Sequence, residues 1–309
     1  MYISHISYYI ADNKKTVNEL MLDGEMTATE SHVFEKMMGL KLIPRDFKSH
    51  TQKQLNTVIE KMMNEFVVDC CKVKYVFFAH TADYCTPFNT SVLHEITHQF
   101  SFNNALCFGS SVYKCAGTFH QMSLSKKLFQ TLSNEDSILL LTADSTFTKM
   151  LTVIPGATIM GDASTAILLK KEGLHHQFID CYMKSLGQFA KGLWGDTNEK
   201  LAFQSVYVNT MRQLILTIIK KNNLKLGDIK CIFPHNVNLL SWKQIMHALS
   251  LNDDKVYLDN VPKTAHCFGS DPFINLKDGI KEGRIVSGDY YLLVTMGLGA
   301  TFAAMLFQF

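Results

Sequence analysis

The chain has 309 residues, 47% hydrophobic and 19% charged, a composition that excludes a disordered chain and provides for a sizeable core. Its 30 Lys and Arg against 28 Asp and Glu leave a formal net charge of +2, so no bulk field points to nucleic acid or an anionic membrane. Eight cysteines are too dilute for a disulfide scaffold, and no CxxC pair offers a zinc site. The N-terminal MYISHISYYIADNKK lacks a basic leader and a long apolar stretch, so reduced thiols in a cytoplasmic protein are expected.

In chain order, Gln52 to Phe66 has apolar residues at helical spacing and leads to Lys74–His80, a short apolar run suited to a buried strand. Thr90 to Phe100 reads as a helix, followed by NNALCFGSS (103–111). Ser111 to Leu132 is a further helical pattern, and Ser137 to Thr142 a strongly apolar strand. Helix followed by buried strand marks a parallel sheet covered by helices. The second half repeats the theme with a long amphipathic helix at Leu201–Lys221, a strand at Ile229–Phe233 and a polar loop from Pro234. A helix at Ser241–Leu249, a short strand at Lys255–Leu258 and a helix at Ile274–Lys281 follow. This repetition suggests an internal duplication. Tyr290 to Phe307 is nearly uncharged and about long enough to span a bilayer. However, Gly297 and Gly299 divide it into two β-prone runs, so a buried hairpin is expected.

Three stretches set a reactive residue beside Gly, Pro or Asn: Ala105–Gly109 around Cys107, Phe233–Asn238 around His235, and Ala265–Asp271 around His266. A cysteine at a helix N-terminus gains thiolate character, and a histidine within reach deprotonates it or stabilises charge on a bound carbonyl. Each signal alone is weak. A free cysteine among apolar neighbours is usually an inert core residue, and a lone histidine after a strand is more often a satisfied or surface imidazole. As metal ligands the three lack a close pair, so no metal is expected.

These motifs, in this order, resemble the thiolase superfamily, most closely the β-ketoacyl-acyl-carrier-protein synthase III group and its relatives in secondary metabolism. That family carries its nucleophile in an A-C-x-G-like pattern opening a buried central helix, which Ala105-Leu106-Cys107-Phe108-Gly109 resembles. Its P-H-Q-A-N pattern matches Pro234-His235-Asn236-Val237-Asn238, its glycine-aspartate motif Met160-Gly161-Asp162-Ala163-Ser164, and its G-x-G-x-T hairpin Gly297–Thr301. The resemblance implies an α/β fold, a five-layer α-β-α-β-α stack of two similar halves. The nucleophile falls in residues 1–168, and the two histidines and glycine hairpin in 169–309. It assigns Cys107 as acyl acceptor, His235 as a holder of the second substrate's thioester oxygen, and the N–H groups of Cys107 and Gly299 as the oxyanion hole. Phe88 corresponds to a residue sent across a homodimer interface into the partner's acyl pocket.

The chain also departs from the pattern. Where the family has an asparagine in a G-N-T-S stretch, this chain has His266, giving a Cys-His-His set like that of elongating condensing enzymes. Asp271, five residues on, is a candidate for orienting a histidine as a base, and Asn238 a further orienting residue. The tryptophan and arginine that clamp the adenine of coenzyme A fall at Val33 and Met37, and another family arginine at Leu240. That weakens a coenzyme A site and favours delivery on an acyl-carrier protein. The leading expectation is an acyltransferase that loads Cys107 from a carrier-protein or coenzyme A thioester, with no other cofactor. It then performs a decarboxylative Claisen condensation with a malonyl-type thioester, in fatty-acid-like or polyketide metabolism. Transfer of the acyl group to a hydroxyl or amine is the alternative, and a non-catalytic partner subunit the third reading.

Overall fold

The computed structural model describes residues 1–46, 50–83, 85 and 90–309. In the first half the strands are β1 (Tyr2–Ile10), β2 (Lys14–Thr16), β3 (Leu42–Pro44), β4 (Val73–Ala79), β5 (Leu106–Ser110), β6 (Ser137–Asp144), β7 (Val153–Ile154), β8 (Thr158–Ile159) and β9 (Ala163–Lys170). The second half adds β10 (Gln177–Ser185), β11 (Ile229–Pro234), β12 (Tyr290–Gly297) and β13 (Thr301–Gln308). The helices are α1 (Val17–Leu22), α2 (Ala28–His32), α3 (Thr51–Glu65), α4 (Val92–Gln99), α5 (Gly117–Leu128) and α6 (Lys149–Thr152). After them come α7 (Thr197–Lys221), α8 (Leu239–Leu249), α9 (Val261–Thr264) and α10 (Asp271–Lys281).

Nine strands join in the order β11-β12-β13-β10-β1-β9-β6-β4-β5. Each half has the same plan. In the first, β1 and β9 are antiparallel, as are β9 and β6, while β6-β4 and β4-β5 are parallel. In the second, β10-β13 and β13-β12 are antiparallel and β12-β11 is parallel, with Val256 bridging Ile232 in parallel where β5 stands in the first half. The duplication suggested by the sequence is therefore present in the strand order. The halves meet at β1 and β10, through Tyr2 opposite Gln177. Strand β9 ends at Lys170 and β10 begins at Gln177.

Three apolar layers explain why the strands read as continuous hydrophobic runs. In β6 all eight residues are buried. Ile138 and Leu140 point into the middle layer with Phe119 of α5 and Phe273 of α10. Leu139 and Leu141 point the other way, onto Leu55, Val58, Ile59 and Met62 of α3. In β12, Tyr291 and Leu293 face the same middle layer, whereas Leu292 and Val294 face α7 and α8 through Met211, Leu214 and Trp242. The result is α3 and α4, a half-sheet, α5 with α10, a second half-sheet, then α7 with α8: the expected five layers.

Tyr290–Phe307 is the expected hairpin, with β12 and β13 paired from Tyr290–Gln308 to Gly297–Thr301. No helix among the described residues is long and apolar enough to cross a membrane. Two expectations change. Lys255–Leu258 supplies only the Val256 bridge, because a 3-10 turn occupies Asp253–Lys255. The helix expected from Ser111 starts at Gly117, since 111–116 is used to turn from β5 into α5.

Packing between layers is close enough to require glycine where α10 lies on β11. A Cβ on Gly279 of α10 would lie 2.4 Å from Phe233 Cε1. Gly279→Ala should destabilise the fold by about 1–3 kcal/mol in urea unfolding. Gly227→Ala, where a Cβ meets nothing within 4 Å, should cause no loss.

Candidate active site

The expectation for Cys107 does not survive the fold. Cys107 lies in the middle of β5 opposite Val76, with its Sγ 3.9 Å from the Ala105 carbonyl and its side chain against the outer apolar layer. Burial pushes its thiol up from the ordinary value. The thiol that meets His266 is Cys115. Residues 106–110 extend as a strand because β4 offers a free edge, so the cysteine at the start of the central helix comes eight positions later. Lys114-Cys115-Ala116-Gly117 carries the same cysteine-x-glycine spacing as Cys107-Phe108-Gly109, and it stands where the helical pattern from Ser111 begins.

Cys115 sits in a 3-10 turn, Lys114–Ala116, that runs directly into α5. Lys114 has φ 49°, a left-handed conformation unusual for a residue with a Cβ. Its ammonium is anchored on Asp83, and Ala116 N–H donates to Tyr113 O at 2.9 Å. Neighbouring loops press on this turn. A Cβ on Gly297 would stand 2.1 Å from Tyr113 O, and one on Gly269 3.3 Å from Cys115 O. Thr81 Oγ1 lies 3.6 Å from Cys115 Sγ. Asp144 holds that threonine through Thr81 N–H (2.7 Å) and Ala82 N–H (3.3 Å), and burial pushes the Asp144 carboxyl up to about 7. Sequence reasoning missed Cys115, Thr81 and Asp144.

His266 is clamped through its backbone, donating N–H to Ile159 O (3.1 Å) and accepting from Gly161 N–H (2.9 Å). The loop bends around it, with Ala265 and Phe268 both at φ 51°. Its Nδ1 donates to Asp271 Oδ2. Asp271, fully buried at the start of α10, also accepts from Asn236 N–H (2.7 Å), Asn236 Nδ2 (3.3 Å) and Cys267 N–H (2.8 Å). Asn275 Nδ2 in turn donates to Asn236 Oδ1 at 2.8 Å and Pro234 O at 2.7 Å. Burial by itself would push the His266 ring below its ordinary value. The Asp271 carboxylate, then the Cys115 thiol, more than reverse this and hold it up at about 10.

His235 lies beside it, with ring centroids 5.7 Å apart. It is buried, its carbonyl accepts from Trp242 Nε1 at 2.9 Å, and its N–H donates to Val294 O at 2.9 Å. Burial, then the charge of His266, push this ring down to about 3, with the Val294 carbonyl acting weakly in the other direction. The structure thus brings His235 and Asp271 together around His266, and His266 is the member that meets Cys115. It does not bring the other expected residues there. Asn238 caps α8 through Ser241 N–H (2.7 Å) and donates to Ala157 O (2.7 Å), so it orients no imidazole. Gly299, at φ 84°, faces Gly192 and Ala190; the hairpin glycine against the cysteine turn is Gly297. Cys107 N–H lies within the β5 ladder and cannot serve an oxyanion at Cys115. Phe88 lies outside the described residues. Among the described residues no group of three or more His, Cys, Asp or Glu is arranged to hold a metal.

The family profile described as 3-oxoacyl-[acyl-carrier-protein (ACP)] synthase III C terminal matches residues 219–309, the segment that carries His235, His266 and Asp271. The β-ketoacyl-[acyl-carrier-protein] synthase III of Clostridium beijerinckii is 25% identical over 244 residues, 72% of this chain and 73% of that protein. The enzyme of the same name from Sulfurimonas denitrificans is 25% identical over 273 residues, 81% of this chain and 78% of its own. The chain resembles the synthase III-like condensing enzymes of the thiolase superfamily. Solved structures share the synthase III fold at low identity. ChlB3, named an acyltransferase, has a TM-score of 0.86 at 16% identity and covers 99% of this chain and 97% of its own. The Aquifex aeolicus synthase III gives 0.84 at 16%, covering 100% and 99%. A synthase III-like enzyme is an acyltransferase, and this one carries histidine where the family's asparagine was expected.

The His266–Asp271 pair sets a pH-dependent stability. A ring whose folded value is raised adds stability that is fully present below its unfolded value of about 6.5 and is lost as pH climbs toward about 10. Asp271→Asn should therefore destabilise most near pH 6, and the difference from wild type should shrink as pH approaches 10 in urea unfolding series. In imidazole NMR, His266 should stay protonated to well above pH 8 in the wild type and titrate lower in the variant.

Proposed function

We propose that Cys115 is the acyl-bearing nucleophile of a decarboxylative condensing enzyme, and the observation that carries this reading is the placement of His266 between Asp271 and Cys115. The sulfur attacks the carbonyl of an acyl thioester; a C–S bond forms, and the carrier leaves as a thiolate that takes a proton. A malonyl-type thioester then binds in its place. Loss of carbon dioxide leaves an enolate whose carbon attacks the acyl carbon. The new C–C bond forms as the bond to Cys115 breaks, returning the thiolate. This sequence needs donors for negative oxygen and no general base. A ring held at about 10 is protonated at neutral pH, so His266 supplies an N–H donor and a positive charge and is unsuited to removing a proton.

A second reading, transfer of the acyl group to a hydroxyl or amine, is supported by the carboxylate–imidazole pair itself, the arrangement that orients a base in acyl-transfer enzymes. The acyltransferase name of ChlB3 accompanies it. Malonyl thioesters separate the two, because only condensation releases carbon dioxide from them.

The donor fits a carrier protein, as the names of the relatives indicate for those enzymes. The resemblance puts Val33, the exposed Met37 and Leu240 at the positions that grip coenzyme A in the family, and none of them is a cation or a large aromatic ring. A homodimer fits the edge of the sheet. Leu106 and Phe108 of the edge strand β5 are 60% and 51% exposed, and Val112 just beyond is 75% exposed. An unpaired apolar edge is a template for a second strand, and a second copy would cover it.

Offered acyl-carrier thioesters, wild type and Cys107→Ala should gain the acyl mass and Cys115→Ala should not. With malonyl-carrier added, wild type should release carbon dioxide, and His266→Ala should slow turnover by about 10²–10³. Acylation without any decarboxylation defeats the condensation reading and leaves the second one. Paired Leu106→Lys and Phe108→Lys changes should convert a dimer to a monomer in light scattering; an unchanged mass would remove β5 from the interface.

A further inference from the structure

Tyr207, on the inner face of α7, is assigned no role by the motifs, yet it reaches the reaction centre. Its ring packs among Phe203 and Phe302, with centroids 5.8 Å away in each case, and its hydroxyl lies 3.2 Å from His235 Nε2. The residue is 8% exposed. Burial raises the phenol above its ordinary value, so it stays protonated, and among the described residues His235 Nε2 is the partner it has for that proton. A phenol can donate to a bare Nε2 or accept from an Nε2–H, and donation is the arrangement that gives its own buried proton a partner. His235 then carries its own proton on Nδ1, which is buried and makes no hydrogen bond of normal geometry.

We propose that Tyr207 is a positioning residue that fixes His235 as the neutral Nδ1–H tautomer, with Nε2 an acceptor. The two imidazoles consequently do different work. His266, held by Asp271, is the cationic donor beside Cys115. His235 presents no Nε2–H, so a thioester or enolate oxygen is not held by two equivalent imidazole donors. A bound oxygen takes its donor from His266, because the phenol proton is committed to Nε2. This differs from the symmetric pair implied by the Cys-His-His likeness. It rests on the proposed reaction only for its kinetic consequence; the tautomer itself is a property of the resting protein.

The test has two arms that fail separately. In nitrogen-15 spectra of wild-type protein, His235 should show a protonated Nδ1 and an unprotonated Nε2 at pH 7. A protonated Nε2 overturns the proposal whatever reaction is catalysed. Tyr207→Phe removes only the hydroxyl and keeps the ring contacts. It should release His235 into a mixture of tautomers, leave acylation of Cys115 within twofold of wild type, and change kcat for the second half-reaction on the order of tenfold. If the variant keeps both the wild-type tautomer and the wild-type kcat, Tyr207 is only a packing residue. Should the variant fold poorly, the wild-type spectrum still decides. Absence of any carbon dioxide release in the wild type would count against the condensation reading and leave the tautomer result standing.

Discussion

A buried carboxylate governs this site. Asp271 has no exposure, and a charge taken that far from water costs several kcal/mol unless donors replace the solvent. Four do: the two groups of Asn236, the amide of Cys267 and the ring of His266. To deliver two of these, the 265–268 loop adopts left-handed conformations at Ala265 and Phe268, each costing about 1–3 kcal/mol. The strain persists because the same loop is tied to Ile159 and Gly161 across the first half. The carboxylate thus fixes the loop, and the loop fixes the ring that meets the sulfur.

Charge then propagates to the neighbouring imidazole. With His266 held as a cation, a second cation 5.7 Å away in the same buried space is unfavourable, and His235 is driven toward neutrality. Two histidines that look alike in sequence become a charged donor and a neutral acceptor. The asymmetry originates in Asp271 and Tyr207, which lie respectively five residues from one histidine and twenty-eight from the other.

Much of the architecture was legible in the sequence, for identifiable reasons. The continuous apolar runs of β6 and of the β12–β13 hairpin read correctly because burial on both faces leaves no polar alternation. His235, His266 and Asp271 were legible as candidates because each stands beside a turn that the fold requires, and the fold brings the three together. Cys107 misled because its local spelling matches that of Cys115, and spelling does not reveal whether a cysteine lies within a strand or after it. The helical pattern starting at Ser111 contained the corrective signal. Asn238 reads as polar and available, whereas helix capping uses its oxygen. Tyr207 was out of reach, since an aromatic on the inner face of a helix reads as core until the fold shows what its hydroxyl touches.

The repeated strand order has a further consequence. Helix α5 follows the edge strand of the first half, and α10 follows the Val256 bridge that occupies the same place in the second. Cys115 and Asp271 therefore stand at corresponding positions, each at the head of a middle-layer helix where exposed N–H groups favour an anion. If the halves arose by copying one ancestral unit, that unit brought two equivalent helix heads face to face across the central layer. One head now carries the thiol and the other the buried carboxylate that holds His266. In that history the enzyme is a dimer of half-molecules fused into one chain, with chemistry divided between two formerly identical places.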